Sequence, residues 1–215
     1  MKKTTLRSAL ALAALTLAAF APCSMAEPTP EAGKVLIVYF SRVGNTDFST
    51  VTDTDTHASV IAANDGIRGN TEVIARMIQN AVGGDLHLIK TEKIYPTAYR
   101  ATTDEGQKEA RANVRPPLAS KIDISSYDTV FLGYPNWWGD MPMALYTFLE
   151  EYDLSGKTIV PFVTSGGSGF SRTQKTIAEK ARGAKVLKGL HVRDRSVANS
   201  QNDVEKWLKG LGLAK

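Results

Sequence analysis

The sequence predicts an α/β domain: a doubly wound sheet of five parallel strands with helices on both faces. Three observations point there. Short apolar, β-branched runs recur along the chain and read as strands buried on both sides. Segments with helical spacing stand between them, and that alternation implies parallel strands joined by right-handed crossovers. Segments rich in Gly, Ser, Thr, Asn or Trp follow the first, third and fourth strands, where open α/β sheets bind ligands.

Lys34 to Phe40 is the first strand. From Glu72 on, Val73, Ile74, Met77, Ile78, Ala81 and Val82 recur at helical spacing, and Gly83-Gly84 ends that helix. Asp85 to Lys90 is the second strand. Residues 91–120 read as irregular, with a charged helical piece between Asp104 and Val114 that Pro116-Pro117 ends. Asp128 to Tyr134 is the third strand, and Pro142 opens a helix carrying Leu145, Phe148, Leu149 and Tyr152. Lys157 to Val163 is the fourth strand, followed by a helix around residues 174–181. Lys185 to Val192 is the fifth, and Val204, Trp207, Leu208 and Leu211 mark a closing amphipathic helix.

The amino-terminal residues read as an export signal. Lys2, Lys3 and Arg7 precede an apolar run from Ala9 to Ala21, and Ser24-Met25-Ala26 supplies small residues for cleavage before Glu27. The run is shorter than the roughly 20 residues that span a bilayer. The expectation is a periplasmic chain cleaved after Ala26, with no stable membrane insertion afterwards. Residues 27–33 form a linker, 34–215 the domain, and 47–68 an inserted loop within it. Cys23, the only cysteine, falls inside the signal, so thiolate chemistry is not expected of the domain. Beyond the signal, 23 basic side chains face 22 acidic ones. That near-neutral balance excludes a nucleic-acid binder that relies on a basic face.

The chemistry gathers in three loops. Ser41-Arg42-Val43-Gly44-Asn45-Thr46 follows the first strand, and hydroxyls with free N–H groups at a strand-to-helix turn suit a phosphate. A second Gly-Asn-Thr, at 69–71, stands immediately before the first periodic helix. The phosphate-binding terminus is therefore assigned to Asn70-Thr71-Glu72, with Ser41 reaching in from the strand end. The second loop is Tyr134 to Asp140. Adjacent Trp137 and Trp138 cannot both point into one core, so one faces a ligand or solvent, and an indole stacks well on a planar ring. The third, Thr164 to Phe170, holds three glycines that permit close backbone approach and hydroxyls for polar ring edges.

Other groupings carry less. Asp53 and Asp55 read as solvated. His57, His87 and His191 lack metal-ligand spacing. Ser165 in its glycine-rich setting lacks the flanking glycine, the histidine and the acid of a hydrolase elbow. Arg193-Asp194-Arg195 reads as surface.

At these loops the chain resembles the flavodoxin family, from about Lys34 to Leu213. The resemblance implies the strand order 2-1-3-4-5 and one non-covalent FMN. Ser41, Asn70 and Thr71 would hold the ribityl phosphate, with Arg42 in the same loop. Trp138 and Gly139 would lie by the ring, Pro135, Asn136 and Trp137 would complete that loop, and Thr164, Ser165, Gly166 and Gly167 would cover the pyrimidine edge. The flavin would carry the chemistry, in a one-electron carrier or a two-electron, quinone-reductase-like oxidoreductase. A redox protein or a membrane quinone is the expected partner, because NAD(P)H is not expected outside the inner membrane. A non-catalytic flavin-binding or cofactor-free module stays open as the alternative.

Overall fold

The computed structural model describes residues 33–48, 59–63 and 66–214. The export signal with Cys23, linker residues 27–32, and Asp53, Asp55 and His57 lie outside the described residues.

The strands are β1 (Val35–Phe40), β2 (Val60–Ala63), β3 (Gly66–Gly69), β4 (Asp85–Ile89), β5 (Thr129–Pro135), β6 (Thr158–Ser165), β7 (Lys185–Val186) and β8 (Leu190–Arg193). The helices are α1 (Asn70–Val82), α2 (Tyr99–Arg111), α3 (Met143–Glu151), α4 (Thr173–Lys180) and α5 (Gln201–Gly210), with a 3₁₀ turn over Asp194–Asn199. The main sheet is parallel and runs β4-β1-β5-β6-β7, with β8 also on β6. This is the expected doubly wound α/β sheet in the order 2-1-3-4-5, its fifth strand divided in two.

Alternation along β1 sorts the core. Leu36, Val38 and Phe40 face one side, where Leu145, Phe148 and Leu149 of α3 and Ile177 of α4 cover them. Ile37 and Tyr39 face the other, under Ile74 and Ile78 of α1 and Val204 and Leu208 of α5. Burial of each such side chain contributes about 1.5–3 kcal/mol.

Three local departures from the sequence reading have physical causes. The fifth strand breaks between Val186 and Leu190 because of Pro161. The Lys157 and Ile159 carbonyls accept from the Lys185 and Leu187 amides, so the odd positions of β6 face this strand, and Pro161 has no N–H to offer it. Helix α2 begins five residues before the expected charged piece, because its buried face is made of Thr102 and Gly106 rather than an apolar stripe. The end of the inserted loop is an antiparallel hairpin, β2 with β3, that delivers the chain to α1.

Candidate functional site

The carboxyl ends of β1, β5, β6 and β8 meet at one edge of the sheet, around a cleft of about 320 Å³. Its walls are Arg42, Ser59, Tyr99, Thr102, Thr103, Asn136, Trp137, Trp138, Thr164, Ser165, Gly166 and Asp194. Seven of the residues singled out from the sequence line it: Arg42, Asn136, Trp137, Trp138, Thr164, Ser165 and Gly166.

Ser41, Asn70 and Thr71 do not line the cleft but stand behind Arg42 and Thr164, which do, and there α1 starts from Gly69 with no side-chain cap. A Cβ on Gly69 would fall 1.8 Å from the Ser41 Oγ, so only glycine lets the strand end and the helix start approach this closely. The Ser41 hydroxyl is 1% exposed and has no hydrogen-bond partner, and the Asn70 Oδ1 is likewise buried without one. The Thr71 hydroxyl meets that of Thr164 at 3.0 Å, tying the helix start to the end of β6. A buried donor beside an uncapped helix start suits an anion with several acceptor oxygens. The Arg42 guanidinium donates to the Thr97 carbonyl and lies 5.2 Å from the Phe48 ring.

The loop after β5 separates its two tryptophans. Trp137 turns inward, edge-on to Phe40 at 5.4 Å and to Tyr95 at 5.3 Å. Gly106 of α2 makes room for its ring. Trp138 is 58% exposed and donates its indole N–H to the Thr103 carbonyl at 2.9 Å. Trp138 and Gly139 have φ of +58° and +78°, and Trp137 and Asp140 exchange both backbone bonds across them. Two central residues at positive φ make the tight turn that glycine favours at its second position. The Asn136 side chain holds the turn by accepting from the Gly139 N–H at 3.0 Å. Asp140 anchors its far end, accepting from the Met141 N–H, Tyr146 hydroxyl and Arg172 guanidinium. Pro135 is buried at the strand end opposite Thr164. Neither it nor Gly139 lines the cleft.

In the third loop, Ser165 Oγ accepts the N–H groups of Gly167 and Gly169, at 3.2 and 3.0 Å, and meets His191 Nε2 at 2.9 Å. With both lone pairs taken, the hydroxyl proton goes to Nε2 of a neutral imidazole. Burial, helped by the Arg193 charge, lowers the His191 pKa and favours that neutral form. This corrects the sequence reading that Ser165 has no histidine. The pair is nonetheless a loop clamp and not a nucleophile with its base, because Ser165 is buried with its lone pairs committed. Gly167, which does not line the cleft, turns its N–H back to Ser165.

A second correction concerns Asp194. The sequence places it on the surface, yet it is half-buried and lines the cleft, and the Asn70 side chain favours its ionised form. Parallel pairing of β6 with β8 brings Arg193 beside Ser165 and sets Asp194 just past the strand end. The carboxyl-end rule that singled out the other loops applies equally to the fifth strand and would have found Asp194. Tyr99, Thr102 and Thr103 had no such signal, since α2 carries no motif.

A family model described as Flavodoxin matches residues 59–211. A candidate flavoprotein from Bacteroides eggerthii is 28% identical, with a TM-score of 0.63 over 83% of this chain and 98% of its own. One from Bacteroides uniformis has the same identity and TM-score, over 83% and 99%. A Lactobacillus acidophilus flavoprotein solved in complex with FMN shares the fold at 22% identity and a TM-score of 0.55, over 80% of this chain and 99% of its own. Among curated proteins nothing matches.

Proposed function

The chain belongs to the flavodoxin family, and from that premise we propose that it binds one FMN non-covalently in the cleft and transfers electrons outside the cytoplasm. The observation that carries this reading is the buried, unpartnered Ser41 hydroxyl beside the uncapped start of α1, directly behind Arg42 and Thr164 in the wall of a cleft that Trp137 and Trp138 also line. A phosphate offers several acceptors to that donor and to the helix start. The FMN-bound relative from Lactobacillus acidophilus, of the same fold, points to the same ligand.

Bound FMN would supply the redox chemistry, and the chain's own residues bind, orient and shield it. Ser41 would donate to the phosphate, and Thr71 would orient that end through its bond to Thr164. Trp137 forms a fixed wall, because Phe40, Tyr95 and Gly106 hold it. Trp138 closes the mouth and is held by the Thr103 carbonyl. The Ser165–His191 clamp keeps the Thr164–Gly167 segment in one conformation.

Trp138 and Tyr99, 58% and 51% exposed, stand at the mouth and give a redox protein or a membrane quinone an apolar contact. Trp137 and Trp138 are the feature that favours flavin redox work over a cofactor-free module. The signal-like residues 1–26 support a periplasmic location. Protein purified from the cell envelope should be yellow and release FMN, identified by mass, on denaturation. A colourless protein that also fails to take up FMN on titration would sink the reading.

A further inference from the structure

The start of α1 already has an anion from the chain itself. Asp194 leaves the end of β8, lines the cleft and opens the 3₁₀ turn that packs against α1, where the nearby Asn70 side chain, on the first residue of α1, favours its ionised form. The Asn70 backbone N–H is held separately by the Ser59 carbonyl at 2.8 Å. Asp194 Oδ2 also comes within 4.0 Å of the point where a Cβ on Gly166 would stand, so the carboxylate lies between the helix start and the loop after β6. Among the described residues, the Asn70 side chain and the His191 charge favour its ionised form. Burial raises its pKa, as expected of a carboxylate drawn away from water.

A carboxylate is an odd choice for the wall of a phosphate site. It donates nothing while ionised, and its charge repels a phosphate a few ångströms away. It does suit a chain without ligand, because it faces the amide end of Asn70 and complements the positive end of the α1 dipole. Resting on the reading that FMN binds in this cleft, we propose that Asp194 is a built-in competitor for the ligand's phosphate. It engages Asn70 when the cleft is free of ligand, and it opposes the phosphate when FMN enters. The residue thereby sets how readily FMN exchanges and how strongly the site prefers FMN to flavins without a phosphate.

The opposite role is that Asp194 accepts hydrogen bonds from hydroxyls of the ligand's sugar chain, which FMN and riboflavin share. Titration of wild type and Asp194→Asn with both flavins, followed by quenching of flavin fluorescence, separates the two. Asn keeps the shape and one acceptor while removing the charge. The expected result is FMN binding tightened on the order of tenfold or more, with riboflavin affinity unchanged. Equal weakening of both flavins assigns Asp194 to the sugar chain and overturns the proposal, as does no change for either. If wild type and variant bind neither flavin, the FMN reading falls, and the competitor falls with it. Thermal melting of the ligand-free variant reports whether it folds. If it does not, the same titrations on Asp194→Ser decide.

Discussion

Gly44-Asn45-Thr46 and Gly69-Asn70-Thr71 spell the same three residues, and both lie beside the carboxyl end of β1. In the first, Asn45 is fully buried and every polar atom of its amide is used. It donates to the carbonyls of Ser41 and Ile89 and accepts from the Thr91 N–H and hydroxyl. It staples the loop after β1 to the end of β4. In the second, the Asn70 Oδ1 has no partner, Ser41 Oγ beside it has none, and the helix has no side-chain cap. Identical triplets thus serve opposite ends. The contrast lies in the asparagines: the Asn45 amide spends its hydrogen bonds on the fold and the Asn70 Oδ1 keeps its acceptor. The threonines run the other way, Thr46 with a buried hydroxyl that has no partner and Thr71 bonded to Thr164. A polar residue is recognised as structural or ligand-directed by whether its partners are already present.

Trp137 and Trp138 repeat the contrast at the next loop, and the largest expected effect lies there. Trp137→Ala removes a ring wedged among Phe40, Tyr95 and Gly106 and should cost about 3–5 kcal/mol of unfolding free energy. Trp138→Ala should cost about 1 kcal/mol or less, since its ring is mostly exposed and makes one hydrogen bond. Equal losses in denaturant unfolding would erase the distinction between wall and mouth.

The triplets come next. Asn45→Ala strands a buried N–H and two buried carbonyls and should cost about 2–4 kcal/mol, whereas Asn70→Ala should cost about 1 kcal/mol or less. Comparable shifts in thermal melting would show that the second triplet is as structural as the first. Gly139→Ala isolates backbone strain, because an added Cβ meets only Ser171 Oγ, at 3.9 Å, while φ stays at +78°. About 1 kcal/mol is expected.

Ser41→Ala should leave stability within about 0.5 kcal/mol, since the hydroxyl has no partner to lose. The same variant should weaken FMN several-fold without touching riboflavin. An equal loss for both flavins would mean that Ser41 only shapes the loop.

The smallest effect is a pH slope. Burial holds His191 and His87 below the ordinary histidine pKa of 6.5. The unfolded chain therefore binds protons more readily, so stability is full above about pH 6.5 and falls as pH drops through the folded-state values. His191→Gln should flatten part of that slope, with His87 responsible for the rest. An unchanged slope in melting temperature between pH 7 and 5 would detach His191 from the clamp on Ser165.

The main strands, the sides of the core and the three loops were legible in the sequence because each rests on a local signal. β1, β5 and β6 are apolar on both faces, α1 has its stripe, and the loops carry glycine, serine and tryptophan where strands end. Helix α2 was only partly legible, since Thr102 and Gly106 are chosen by the ring they meet and not by hydrophobicity. The break in the fifth strand came from Pro161, which acts on a neighbour some 25 residues away in the chain. Partnership belongs to the tertiary structure as well. Nothing local says that Ser165 finds His191, that Asp194 comes to the cleft wall, or that the Asn45 amide is saturated while the Asn70 Oδ1 is not. Periodicity and turn chemistry act over a few residues, and the sequence by itself determined the layers and the edge where a ligand would sit. Hydrogen-bond satisfaction at that edge joins groups as far apart in the chain as Thr71 and Thr164, and only the packed sheet decided which polar groups are used and which are kept.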